Sequence, residues 1–140
     1  MSFLLDTTVV SELVRKSPSA AVLKWIDGQD ETSLFLSVLT IGELEKGVAR
    51  LPASVRRNRL LSWVRRDLVE RFGGRLLPVD TRTAARWGSV TGESEKRGRP
   101  LPVIDCLIAA TALVHGLAVA TRNVGDFERC GAMCINPWGE

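Results

Sequence analysis

The sequence predicts an α/β domain: a central, mostly parallel sheet of four to five strands flanked by helices, occupying residues 1–140 as one unit. Three observations carry this. Short apolar runs (FLLD, SLFLS, RLLPV, LAVAT) alternate with longer stretches of helical periodicity, and that alternation is the signature of a parallel sheet covered on both faces. The runs are apolar throughout, as strands buried on both faces must be. With 140 residues, 45% of them hydrophobic, the chain can fill one core but not two comfortable ones.

Taken in order, FLLD is a buried first strand ending in an acid. TTVVSELVRK and PSAAVLKWIDG read as two short helices, the second capped by Ser17 with Pro18 at its first position. SLFLS is the second strand, and LTIGELEKGVARL a helix with Thr40 near its start. ASVRRNRLLSWVRRDLVERFG carries a helical stripe of Val55, Leu60, Trp63, Val64 and Leu68, closed by Gly73 and Gly74. RLLPV is the third strand, and the next helix, more polar, opens on Asp80. RGRP is a loop, VIDCLIAATALVHG an apolar helix stopped at Gly116, LAVAT the fourth strand, and MCIN a fifth at an edge.

Composition prunes the chemistry. No apolar run reaches the roughly 18 residues of a membrane span, and MSFLLD lacks the basic start of a signal peptide, so a cytoplasmic protein is expected. Cys106, Cys130 and Cys134 are too few, and wrongly spaced, for a disulfide scaffold or a zinc finger. The single histidine, His115, sits in the last turn of a helix, where the helix dipole favours it; a serine–histidine hydrolase is not expected. Net charge is only +3, but Lys46 to Arg75 holds nine basic residues against Asp67 and Glu70. That excess suits a polyanion or, equally, a solvated helix face. Arg59 and Arg66, seven residues apart, are the candidates to share one polyanion-facing side.

In open α/β sheets ligands bind beyond the carboxyl ends of the strands. Asp6 closes the first strand, Asp126 follows the fourth, Glu43 falls early in the helix after the second, and Asp105 in the first turn of the apolar helix. Each has a plain explanation as a helix cap or a first-turn acid. Asp105 is the hardest to explain so, because Ile104 and Cys106 on either side imply partial burial, and a buried carboxylate needs a partner.

LLDTTVVSEL, LSVLTIGELEKGV, PLPVIDCLIAATAL and ATRNVGDFE…INPW together resemble the PIN-domain ribonucleases, nearest the VapC and FitB toxins of type II toxin–antitoxin pairs. The resemblance spans nearly the whole chain in order and implies a single PIN-like domain. It matches Asp6, Glu43 and Asp105 to the family's acidic pocket and places a fourth carboxylate at either Asn123 or Asp126, of which Asp126 is the acid here. Thr8 stands where the family usually has asparagine. The resemblance further implies an endoribonuclease using Mg2+ or Mn2+, with Asp6 and Asp105 as principal ligands, joined by Glu43 and Asp126. Thr7, Thr121 and Asn123 would hydrogen-bond around them. The implied partners are RNA, a small cognate antitoxin, and a second copy of the chain; surplus apolar side chains at Leu60, Leu61, Trp63, Val64 and Trp87 are consistent with a homodimer. Two alternatives stay open: a PIN-like nucleic-acid-binding module without catalysis, and an unrelated α/β domain using Asp6 as a phosphoryl acceptor.

Overall fold

The computed structural model describes residues 1–139. Their five strands form one sheet: β1 (Phe3–Leu5), β2 (Leu34–Ser37), β3 (Leu76–Leu77), β4 (Ala118–Ala120) and β5 (Cys134–Ile135), in the order β3-β2-β1-β4-β5. Every pairing is parallel, and β5 lies at an edge, as expected. The chain builds outward from β1 through β2 to β3, then returns to lay β4 on the other side of β1. The order therefore reverses between β1 and β4, and a crevice opens at such a reversal, beyond the strand ends.

Alternation along β1 sorts the core into two layers. Phe3 and Leu5 face one side with Leu34, Leu36, Ala118 and Ala120, covered by Val9 and Val10 of α1 (Thr7–Glu12), Val22 and Ile26 of α2 (Ala20–Asp27), and Leu68 and Phe72. Leu4 and Val119 face the other, covered by Ile108, Ala109 and Ala112 of α7 (Val103–His115) and Phe127 of α8 (Val124–Arg129). Each of the large side chains at full burial contributes on the order of 1.5–3 kcal/mol. The polar helix α6 (Thr81–Lys96) packs on α7 and is capped by Asp80, which accepts the Thr83 N–H at 2.9 Å. At the far end of α7, Gly116 takes φ +67°, and Leu117 N–H donates to Ala112 O, reversing the chain into β4.

Four local expectations are corrected. α2 is capped by Ser19, not Ser17: the Ser19 hydroxyl accepts from Val22 N, and Pro18 stands before the cap. α3 (Val38–Ala49) is capped by Ser37, which puts Glu43 in the second turn and beyond a first-turn charge–dipole role. The long helix begins as α4 (Val55–Ser62), widens into a π segment over Trp63–Leu68 and finishes as α5 (Val69–Phe72). Val55 is exposed rather than in its apolar stripe, while Val64, Leu68 and Phe72 are buried. A π turn advances less per residue than an α turn, so the seven-residue alignment of Arg59 with Arg66 slips. Finally, of the surplus apolar side chains Val64 is core and Trp63 and Trp87 pack against the two core layers, while Leu60 and Leu61 stay half-buried outside both.

Candidate active site

Asp6 stands where β1 passes into α1, with its N–H on Ala120 O of β4 at 2.9 Å. It occupies the cap position of α1, yet its side chain makes no capping bond. Its carboxylate, only 3% exposed, instead accepts two hydroxyls on Oδ2: Thr8 Oγ1 at 2.9 Å and Thr121 Oγ1 at 2.8 Å. Those hydroxyls are themselves held, since Asn123 N–H donates to Thr121 Oγ1 and Arg122 N–H to Thr8 Oγ1. The crevice at the β1/β4 reversal is thus stitched across by a chain of hydrogen bonds centred on Asp6. Threonine at position 8 is long enough to orient this carboxylate.

Glu43 reaches the same edge from α3. Thr7 Oγ1 donates to its Oε1 at 2.6 Å and contacts Thr40 Oγ1 at 3.3 Å, tying the first turn of α1 to α3. Asp105, half-buried in the first turn of α7, is pushed up to about 6 from an ordinary 3.8, by burial first and then by the negative charges of Asp6, Glu43 and Asp126. Asp6, Glu43 and Asp126 thus all lie within electrostatic reach of Asp105, although the four come from separate elements. Asp126 occupies the first turn of α8 and pairs with Arg129; the cap position belongs to Asn123, so Asp126 is not a helix cap.

Among the described residues no three Asp, Glu, His or Cys side chains are gathered closely enough to hold a metal ion as they stand. The donor set nevertheless fits a hard divalent cation. It is all oxygen, it carries a repulsion that a cation would offset, and the Thr8 and Thr121 bonds to Asp6 load only Oδ2.

Two cationic stretches lie beside the acids. Lys46 and Arg50 continue the α3 face that carries Glu43, and Arg97, Arg99 and Arg129 surround a groove beside the α6–α7 loop. The signal for the second was present in RGRP, which reads only as a loop. Arg59 and Arg66 line neither groove.

Residues 3–132 match the family model of the PIN domain. The chain is 39% identical to the VapC ribonuclease Y4jK of Sinorhizobium fredii, covering 96% of each chain. It is 36% identical to the toxin FitB of Neisseria gonorrhoeae, covering 96% of this chain and 97% of FitB. A solved structure of FitAB bound to the IR36 DNA fragment superposes with a TM-score of 0.89 at 34% identity, over 97% of this chain and 95% of that one.

Proposed function

The chain belongs to the PIN-domain family, and on that premise we propose that it is a metal-dependent endoribonuclease, the toxin of a toxin–antitoxin pair. The observation that carries this reading is the placement of the half-buried Asp105 carboxyl near Asp6, Glu43 and Asp126, whose charges add to its burial in pushing it up. Carboxylates at such quarters repel, and that arrangement is costly unless a cation or a catalytic task accompanies it. Asp6 and Asp105 are the principal holders of Mg2+ or Mn2+, with Glu43 and Asp126 completing the charge. When bound, such a cation acts as a Lewis acid, offsetting charge on a phosphodiester and making water a better nucleophile near neutral pH. The chain's own residues prepare the ground. Thr8 and Thr121 fix the Asp6 carboxylate, Thr7 fixes Glu43, and Asn123 N–H holds the Thr121 hydroxyl in place.

Relatives named ribonuclease and toxin, and a structural neighbour that is a FitAB complex, support RNA as substrate and a small antitoxin as partner. A homodimer and a cytoplasmic setting go with that reading. Among the described residues no helix is long and apolar enough to cross a membrane. The test is incubation of the purified protein with RNA: cleavage appears with Mg2+ or Mn2+ and stops when EDTA is added. Cleavage that persists in EDTA refutes the metal requirement.

Asp126 has its own expected result. Asp126→Asn keeps the side chain's shape but removes a charge, so half-maximal cleavage should need roughly tenfold more Mg2+, the scale of losing a supporting group at a metal site. The lost surface pair with Arg129 is worth at most about 1 kcal/mol, so thermal stability should barely move. An unaltered metal titration would remove Asp126 from the site and leave Asn123 as the better candidate.

A further inference from the structure

We propose that a single-stranded RNA segment crosses the acidic edge between two cationic grooves, its phosphates held by Lys46 and Arg50 on one side and by Arg97, Arg99 and Arg129 on the other. The proposal rests on the ribonuclease reading above and assigns the strand its path.

The first groove, of about 500 Å³, begins at the acids themselves: Thr7 and Glu43 line it. Lys46 and Arg50 follow Glu43 by three and seven residues, and so continue the same face of α3 away from the acids. Gly42 and Gly47 leave that face open, since a Cβ at either would meet nothing within 4 Å. Exposed Val38 and Ile104 give it apolar walls against which an unstacked base can lie.

The second groove, of about 440 Å³, is bounded by Arg97, Arg99, Pro100, Leu101 and Arg129. Arg129 pairs with Asp126, so this groove also abuts the acids, from the α8 side. Leu101 lines the second groove and Ile104, three residues on, the first, so one short stretch of chain borders both. Each volume falls in the range of small-molecule sites, enough for about one nucleotide.

The turn that carries Arg97 and Arg99 is held by main-chain bonds. α6 ends in a backbone-closed turn in which Arg99 N–H donates to Ser94 O and Gly98 N–H to Glu95 O, both at 2.9 Å, with Gly98 at φ +74°. Arg97 and Arg99 flank that glycine. Main-chain bonds fix the turn, so their guanidinium groups are not needed to hold it. A nuclease centre made of carboxylates repels the polyanion it must cut, and cations on both sides of the acids counter that repulsion where the strand enters and leaves.

The test measures binding of the full-length protein to a fluorescently labelled oligouridylate by anisotropy across a salt series, with metal chelated so that the strand stays intact. Arg97→Glu with Arg99→Glu should weaken binding at least about tenfold at low salt and flatten the log–log salt slope by roughly 0.7 per lost phosphate contact. Lys46→Glu should flatten it by about one such contact. Lys24→Glu, the same charge change on α2 away from both grooves, should leave binding as it was. If charge reversal disturbs the fold by circular dichroism, Arg97→Gln with Arg99→Gln should show the same loss at smaller size. Unchanged affinity and slope in the groove variants would overturn the path and leave the grooves to an acidic protein segment. Failure of the wild type to cleave RNA with any divalent cation would instead count against the nuclease reading, while the binding result would still decide the path.

Discussion

Asp6→Asn should lower RNA cleavage by about a thousandfold or more while the protein remains folded. The substitution removes one of two principal charges from the proposed cation site, and several kcal/mol of lost Lewis-acid stabilisation corresponds to about three decades of rate. Asparagine is the informative replacement at this position. The Thr8 and Thr121 hydroxyls both donate to Asp6 Oδ2, and an amide oxygen can still accept from them. Alanine would leave two donors without their acceptor in a nearly closed pocket and mix a stability defect into the result. Asp105→Asn should be equally inactive for the same reason. Cleavage assays alongside thermal melts separate the two effects, and either variant retaining full activity would remove that acid from the site.

The second large effect lies away from the chemistry. Glu12, 2% exposed at the end of α1, accepts Ser19 N–H at 2.9 Å and Arg15 Nη1 at 2.7 Å, joining the end of α1 to the start of α2. The Ser19 N–H, with help from the Arg15 guanidinium and the charge of Arg122, holds this carboxyl below its ordinary 4.5 despite its burial. Glu12→Ala should cost about 2 kcal/mol, since charged hydrogen bonds are lost and a backbone donor is left unmet. That is roughly 6 °C in Tm for a chain of this size. The sign with pH follows from the direction of the shift. A depressed carboxyl contributes stability above its unfolded value near 4.5 and loses it as pH falls through the lower folded value. Wild type and Glu12→Ala should therefore differ in urea midpoint at pH 7 and converge in acid. An equal gap at both ends of that range would mean that packing, not charge, is what Glu12 supplies.

The parallel sheet was legible because apolar runs alternate with helical stretches, and Asp6 at a strand end and Asp105 in a first helical turn are features local to their segments. The order of the strands was not legible. Nor was what surrounds Asp6. Thr8 and Thr121 meet on one carboxylate oxygen only because β1 and β4 pair in register, Leu5 opposite Ala120, and no local pattern announces that pairing. Nothing in the local sequence singles out Glu12, because its burial and its bond to Ser19 N–H depend on where α2 turns back. The π segment was invisible for a similar reason, since the apolar spacing of Val64, Leu68 and Phe72 fits a regular helix as well. Arg97 and Arg99 read as loop charges until the closing turn of α6 placed them beside Arg129.

The central claim is that the four acids form one electrostatically coupled site suited to a divalent cation, and titration of the Asp105 side-chain carboxyl by carbon-detected NMR tests it most directly. In the metal-free protein Asp105 should titrate near 6 rather than near its ordinary 3.8. A carboxyl raised in this way weakens the fold once ionised, so metal-free stability should fall as pH climbs from about 4 through 6 and level off above. Asp6→Asn should lower the Asp105 value, because one of the charges opposing its ionisation is gone, and saturating Mg2+ should lower it further in the wild type. An Asp105 that titrates near 4 in the metal-free protein, indifferent both to Asp6→Asn and to Mg2+, would contradict the account.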